Sequence, residues 1–301
     1  MIICCGEALI DMLPRETPAG EAAFAPYAGG AVFNTAIALG RLGSQVQFFS
    51  GLSSDLFGEQ LRTVLADSKV DSSPSHISDR PTTLAFVRLL NGHATYAFYD
   101  ENTAGRMLTA ADLPDITADA LFFGGISLVV EPCGEAYKAL MLREAPTKLT
   151  MIDPNIRPGF IKDEAAYRAR LNAMLAVADI VKISDEDLTW LTGNHDGASL
   201  LGDSATQVVL MTKGAEGATI ITRRGQFDVP AVKATVVDTV GAGDTFNAGF
   251  LAGLDQAGLL SKAGVAGATH DQLRDAAALG AKSAAITVAR AGANPPWAHE
   301  L

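Results

Sequence analysis

The chain is expected to fold as an α/β protein with a mostly parallel central sheet and a small second sheet standing off it. Three observations predict this. From about Thr109 onward, short β-branched or apolar runs alternate with helical periodicity, the pattern of βα units. Residues 28–43 and 237–254 each place glycines directly before a helix. Residues 84–90 and 94–100 flank Asn91-Gly92-His93, a hairpin signal inside an otherwise βα chain.

The 301 residues can bury one large core or two smaller ones. With 48% hydrophobic and 19% charged residues the composition is globular. No apolar run approaches the ~20 residues of a membrane span. Met1-Ile2-Ile3-Cys4-Cys5-Gly6 has neither a basic region nor a cleavage pattern, so no signal peptide is expected. A net charge of −11 argues against nucleic acid or an anionic membrane as partner. It does not argue against an anionic substrate, because a nest of N–H groups can outweigh distant charge. Cys4, Cys5 and Cys133 form no CxxC and suit a reducing cytoplasm. The five histidines are scattered without ligand spacing, so no zinc is expected.

Taken in order, residues 2–8 read as a buried first strand leading to Asp11, a carboxylate placed for ligand contact or merely solvated. Residues 12–27, broken by Pro14, Pro18, Gly20 and Pro26, read as a turn-rich excursion with short edge strands at most. Gly29-Gly30 precedes an amphipathic helix that ends at Gly43. Asn34 is a poor helix-interior residue, so it either satisfies the local backbone or reads a ligand hydroxyl. Residues 45–52 are a second strand, and Asp55 starts a helix through Leu65.

Residues 121–125 are a strand followed by a Gly-Gly turn, and 132–144 a helix. Residues 149–153 form a strand that ends in Asp153-Pro154-Asn155-Ile156-Arg157-Pro158. There two prolines hold a carboxylate, an amide and a guanidinium in extended geometry, able to converge on a polar ligand. After a strand over 178–183, Ser184-Asp185-Glu186-Asp187 opens a helix, and Ser-x-x-Asp is also an ordinary cap. Residues 208–212 and 218–222 are strands about Lys213-Gly214-Ala215-Glu216-Gly217, where the lysine either meets phosphates or sits in an ordinary turn. A helix over 271–286 precedes the small-residue loop at 286–296.

The stretch with the most chemistry is Asp238-Thr239-Val240-Gly241-Ala242-Gly243-Asp244. A β-branched run at 235–237 predicts a strand into it, and 246–254 a helix out of it. Glycines in the turn leave helix N–H groups uncovered, and the helix dipole favours an anion there. Asp244 is then either an N-cap or a base beside a bound phosphate. No P-loop, dinucleotide fingerprint or nucleophile elbow is present. An anion nest with a rim carboxylate and polar strand-end loops fits phosphoryl transfer.

On these motifs the chain resembles the ribokinase-like (PfkB) carbohydrate kinases along nearly its whole length. Residues 238–246 resemble the family's C-terminal signature and 28–34 its N-terminal one. The resemblance implies a three-layer α/β/α core over residues 1–11, 29–81 and 105–301, with a β lid from 12–28 and 82–104. It implies Asp244 as catalytic base and Gly241, Ala242 and Gly243 as an anion hole. It implies sugar contacts from Asp11, Gly29, Gly30, Asn34, Phe98, Asn155 and Arg157. Lys182, Ser184, Lys213, Gly214, Gly217 and Gly243 would line the ATP site, and Asp187 would help hold Mg²⁺. Asp238, Val240, Thr287, Arg290, Gly292 and Asn294 match a monovalent-cation site, K⁺ in this family.

Within the family the loops at 82–87, 98–99 and 153–158 are most similar to bacterial fructokinases. The expected activity is conversion of fructose and ATP to fructose 6-phosphate and ADP. The alternatives are a kinase for 2-keto-3-deoxygluconate or another sugar or nucleoside, and a non-catalytic sugar-binding regulator. Asp100 stands where related kinases often carry Arg, which disfavours a sugar acid unless Arg157 or Arg106 compensates. Ser184-x-x-Asp187 replaces the family's Asn-x-x-Glu. A cytoplasmic monomer, or a homodimer through the lid, is expected.

Overall fold

The computed structural model describes residues 1–90 and 93–301, without the side chains of 88–96. The expected Asn91-Gly92 turn lies outside the described residues. The chain opens on β1 (Ile2–Cys5), β2 (Leu9–Glu16), β3 (Ala22–Gly29), α1 (Ala31–Arg41), β4 (Val46–Phe49), β5 (Gly51–Ser53) and α2 (Leu56–Asp67). It continues through β6 (Val70–Asp71), β7 (His76–Ser78), β8 (Leu84–Leu90), β9 (His93–Tyr99), β10 (Ala120–Gly124), α3 (Cys133–Glu144), β11 (Leu149–Asp153) and α4 (Glu164–Leu175). It ends with β12 (Ile180–Ser184), α5 (Asp185–Thr192), β13 (Val208–Thr212), β14 (Ala218–Thr222), β15 (Gly225–Val229), α6 (Ala242–Gln256), α7 (Lys262–Gly267) and α8 (His270–Val288).

Among the described residues the main sheet runs β15-β14-β13-β12-β11-β10-β1-β4-β6. It is parallel from β13 to β6, and β14 and β15 add antiparallel strands at one end. Its strands are apolar on both sides because both faces are covered. In β1, Ile2 and Cys4 join the core under α1, α6 and α8, while Ile3 and Cys5 join the one under α3 and α4. All three cysteines are free and buried. A second sheet, β3-β2-β8-β9, stands apart from the first.

Several expectations need correction. The first strand stops at Cys5, and Asp11 lies instead on β2, opposite Tyr27. The excursion over 12–27 is mostly two eight-residue strands. Pro14 lies past the last β2–β8 pair, Met12↔Phe86, and Pro26 is on edge strand β3, so neither removes a needed donor. Residues 45–52 split into β4 and β5, which belong to different sheets. The strand expected at 235–237 does not form. Val236 and Val237 stand 62% and 61% exposed with no strand beside them, so β propensity has nothing to pack against.

In the main sheet the chain moves from β1 to β4 on one side, then returns to β10 on the other. Ligands of open α/β sheets bind beyond the carboxyl ends of strands at such a reversal. The loops after β1, β10, β11 and β12 all leave from that edge.

Candidate active site

A cavity of about 420 Å³ opens at this edge. Its wall includes Asp11 from β2, Gly30 and Asn34 from the start of α1, Phe98 from β9, Asn155 and Arg157 after β11, and residues 239–244. Lys182, Ser184 and Asp187 also line it. Six separate stretches of sequence thus meet in one space.

The helix start at 241–244 leaves backbone donors open toward the cavity. Gly241 is the N-cap of α6 with φ 78° and offers no capping side chain. A Cβ there would lie 2.7 Å from the Ala293 side chain, so only glycine fits. The Ala242 N–H is engaged by Thr239 O at 3.3 Å. Those of Gly241 and Gly243 have no acceptor among the described residues, and they form the positive end of the helix dipole.

Asp244 is the third residue of α6 and not its N-cap, which removes the capping alternative. Its Oδ2 accepts from the Asn34 side-chain amide at 2.9 Å, so Asn34 serves neither its own backbone nor, with that hydrogen, a ligand. The Asp244 carbonyl accepts from Thr35 Oγ1 at 3.2 Å. Asp244 is buried, 7% exposed, and burial pushes its carboxyl up to about 7. The Asn34 bond and Lys182 pull it down, while Asp153 and Glu7 push it further up. Burial likewise raises Asp11 to about 6.

Behind the nest lies a buried pair. Lys182 Nζ donates to Asp153 Oδ2 at 2.9 Å, and Asn247 Nδ2 donates to the same oxygen at 2.7 Å. Burial opposes the Lys182 charge, but the Asp153 carboxylate outweighs it and holds the ammonium above its ordinary range. A methyl group on Gly243 would stand 3.1 Å from Lys182 Nζ, so the cation lies directly under the anion nest.

The other expected residues have different settings. Ser184 caps α5, its Oγ accepting the Asp187 N–H at 3.0 Å, so the bland cap reading holds there. Lys213, Gly214 and Gly217 lie on the turn after β13, outside the cavity lining, and Lys213 Nζ is 3.9 Å from Asp228. Gly29 ends β3 beside the Asp11 carboxylate. Asp238 ties its own turn to the 292 loop, accepting from Val240 N at 3.0 Å and Gly292 N at 2.9 Å. Thr287 donates to Thr245, Arg290 pairs with Glu300, and Asn294 Oδ1 accepts from Arg41. Those side chains are occupied, which leaves only backbone carbonyls of the loop for a cation.

Asp100 and Arg106 do not line this cavity. Asp100 is buried against Thr83 and Thr103, with Arg106 3.6 Å away. Position 100 therefore does not face the substrate space, and Arg157 is the arginine that does. Sequence reasoning missed Glu7, Thr35, Thr239 and Asn247 as site residues. Thr35, Thr239 and Asn247 adjoin singled-out positions, so they carried a signal by proximity. Glu7 carried none.

Glu186 and Asp187 are carboxylates of the cavity lining. Among the described residues no group of three or more His, Cys, Asp or Glu could cage a metal. This donor set fits Mg²⁺, which keeps waters and phosphate oxygens and needs few carboxylates. No helix among the described residues is long and apolar enough to cross a membrane.

The pfkB family carbohydrate kinase model matches residues 1–300. A fructokinase of Rhizobium leguminosarum bv. trifolii is 58% identical over 280 residues, covering 91% of this chain and 86% of that protein. The crystal structure of a Xylella fastidiosa fructokinase with bound ATP superposes with TM-score 0.88 at 30% identity, covering 97% of this chain and 93% of that one. A Vibrio cholerae fructokinase in fructose-, ADP- and calcium-bound form gives TM-score 0.84 at 26% identity, covering 97% and 94%.

Proposed function

The chain belongs to the pfkB family of carbohydrate kinases, and from that premise we propose that its cavity transfers the γ-phosphoryl of ATP to O6 of D-fructose with Asp244 as base. The protein is a carbohydrate kinase that uses ATP, and fructose is its substrate.

The observation that carries the mechanism is the setting of Asp244. One oxygen is held by Asn34, which leaves Oδ1 for a substrate hydroxyl. A pKa near 7 suits a base working near neutrality. As O6 attacks the γ-phosphorus, its proton passes to Asp244. The O6–P bond forms, the bridging P–O bond breaks, and ADP leaves. The N–H groups of Gly241 and Gly243 face the developing charge, with Lys182 beneath them. Asp187, on the cavity wall, would help hold Mg²⁺, which would supply positive charge to the phosphates. Asp11, Gly30, Asn155 and Arg157 surround the space for the sugar, and the small sheet carrying Asp11 and Phe98 acts as a lid that excludes water. Backbone carbonyls of the 238–240 and 287–294 loops, which Asp238 holds together, would take a monovalent cation such as K⁺ and steady the nest beside them.

A coupled ADP-release assay over fructose, ribose, 2-keto-3-deoxygluconate and adenosine, with the phosphorylated position read by NMR, tests this. Fructose should dominate and yield the 6-phosphate. One observation favours a second reading: the exposed Arg157 on the cavity wall suits the carboxylate of 2-keto-3-deoxygluconate. Preferred turnover of the sugar acid would replace fructose with it. For the subunit state, Phe24 and Tyr99 stand 47% and 63% exposed, both edge-on to Phe86, and favour a homodimer through the lid. Sedimentation at micromolar concentration decides between that and a monomer. The free, buried thiols suit a reducing cytoplasm.

A further inference from the structure

Glu7 follows β1 and is 8% exposed, with its side chain in the cavity wall. Its two oxygens go to different elements. Oε1 accepts the Ala31 N–H at 2.9 Å, and Oε2 accepts the Ser127 N–H at 3.3 Å. Ala31 opens α1, whose N-cap Gly30 has no side chain with which to cap it. Ser127 belongs to the 3-10 turn Ile126–Leu128 that follows β10. A carboxylate from the loop after β1 therefore satisfies both backbone donors. Gly125, with φ 68°, lies against it, and a Cβ there would fall 2.0 Å from Oε1.

We propose that Glu7 is a positioning residue for the catalytic base, holding the start of α1 against the end of β10 so that Asn34 is delivered to Asp244. The proposal rests on Asp244 being the base. The connection is short and continuous. Asn34 lies one turn into α1, its N–H on Gly30 O at 2.8 Å and its side chain on Asp244 Oδ2 at 2.9 Å. Thr35 Oγ1 bridges the Ala31 carbonyl at 3.0 Å and the Asp244 carbonyl at 3.2 Å. Release of Ala31 from Glu7 frees the turn that carries both contacts.

Glu7 also contributes charge. Burial raises the Glu7 carboxyl above its ordinary range, and the two N–H donors on separate oxygens offset part of that push. The titratable groups facing it from α3, Cys133 and Tyr137, are raised chiefly by burial and stay neutral. Its charge and that of Asp153 raise Asp244, while Asn34 and Lys182 lower it.

Three variants test this through kcat/KM for fructose from about pH 5 to about pH 9. Glu7→Gln removes the charge but keeps an amide oxygen on the Ala31 N–H, so Asn34 stays on Asp244 while the amide NH₂ meets the Ser127 N–H. Its acid limb should fall by roughly half to one pH unit, with KM for fructose raised more than KM for ATP. Ala31→Pro deletes the capped N–H at the first helical position, where proline is accommodated, and leaves the charge in place. It should lower kcat/KM about tenfold without lowering the acid limb. A folded Glu7→Gln protein, judged by near-UV circular dichroism, with wild-type limb and KM values would overturn the proposal. So would wild-type kcat/KM in Ala31→Pro, which carries the test if Glu7→Gln does not fold. Asp244→Asn separates the two readings: if it keeps turnover, the base assignment fails, whatever Glu7 does.

Discussion

The Asn34 side-chain amide donates to Asp244 Oδ2 at 2.9 Å and joins the two glycine-led helix starts of the chain. The bond favours the charged form of a carboxyl that burial drives the other way. Asn34→Ala should therefore raise the pKa of Asp244 above about 7. The acid limb of kcat/KM should move to higher pH, opposite in sign to Glu7→Gln, and activity at neutral pH should drop about tenfold. An unmoved limb in the pH–rate profile would argue that the bond does not tune the base.

Asp244→Asn should cost several orders of magnitude in kcat while ATP still binds, which calorimetry can measure. It should also stabilise the protein at alkaline pH. The folded pKa, about 7, lies above the ordinary aspartate value of 3.8, so the native state holds its proton longer than the unfolded chain. Wild type should then lose stability relative to the variant as pH rises between those two values, by a few kcal/mol in all. Thermal melts at acid and alkaline pH check the sign.

Lys182→Met should be strongly destabilising because it strands the buried Asp153 carboxylate, leaving Asn247 as its partner. Breaking one side of a buried pair costs roughly 3–5 kcal/mol. The double change Lys182→Met with Asp153→Leu should recover part of that stability in urea titrations, yet remain inactive for want of a cation beneath Gly243.

Gly241→Ala should impair both folding and phosphate binding. A side chain at φ 78° is strained, and its Cβ would sit 2.7 Å from Ala293. We expect a loss of about 1–3 kcal/mol and a raised KM for ATP. Wild-type melting and KM would show that the turn has room to relax.

Much of the architecture was legible in the amino-acid order. The parallel strands and the helices at 31–41, 56–67 and 133–144 follow from apolar periodicity and caps that act locally. The paired glycine-led helix starts singled out Asn34 and Asp244 before any contact between them was known. Less legible was whatever depended on neighbours. The valines at 236–237 carry strand propensity, but no strand lies beside them. The prolines at 14 and 26 looked like breaks, but a sheet edge tolerates them.

The sequence by itself determined the fold class, the anion nest and the identity of the base candidate, because turn chemistry and hydrophobic period are short-range. Tertiary structure decided which charges face one another. It buried Asp244 beside Lys182 and Asp153, turned Asp100 and Arg106 away from the cavity, and placed Glu7 between two backbone donors. Burial and the approach of groups far apart in the chain set electrostatics, and neither is written in any local stretch of residues.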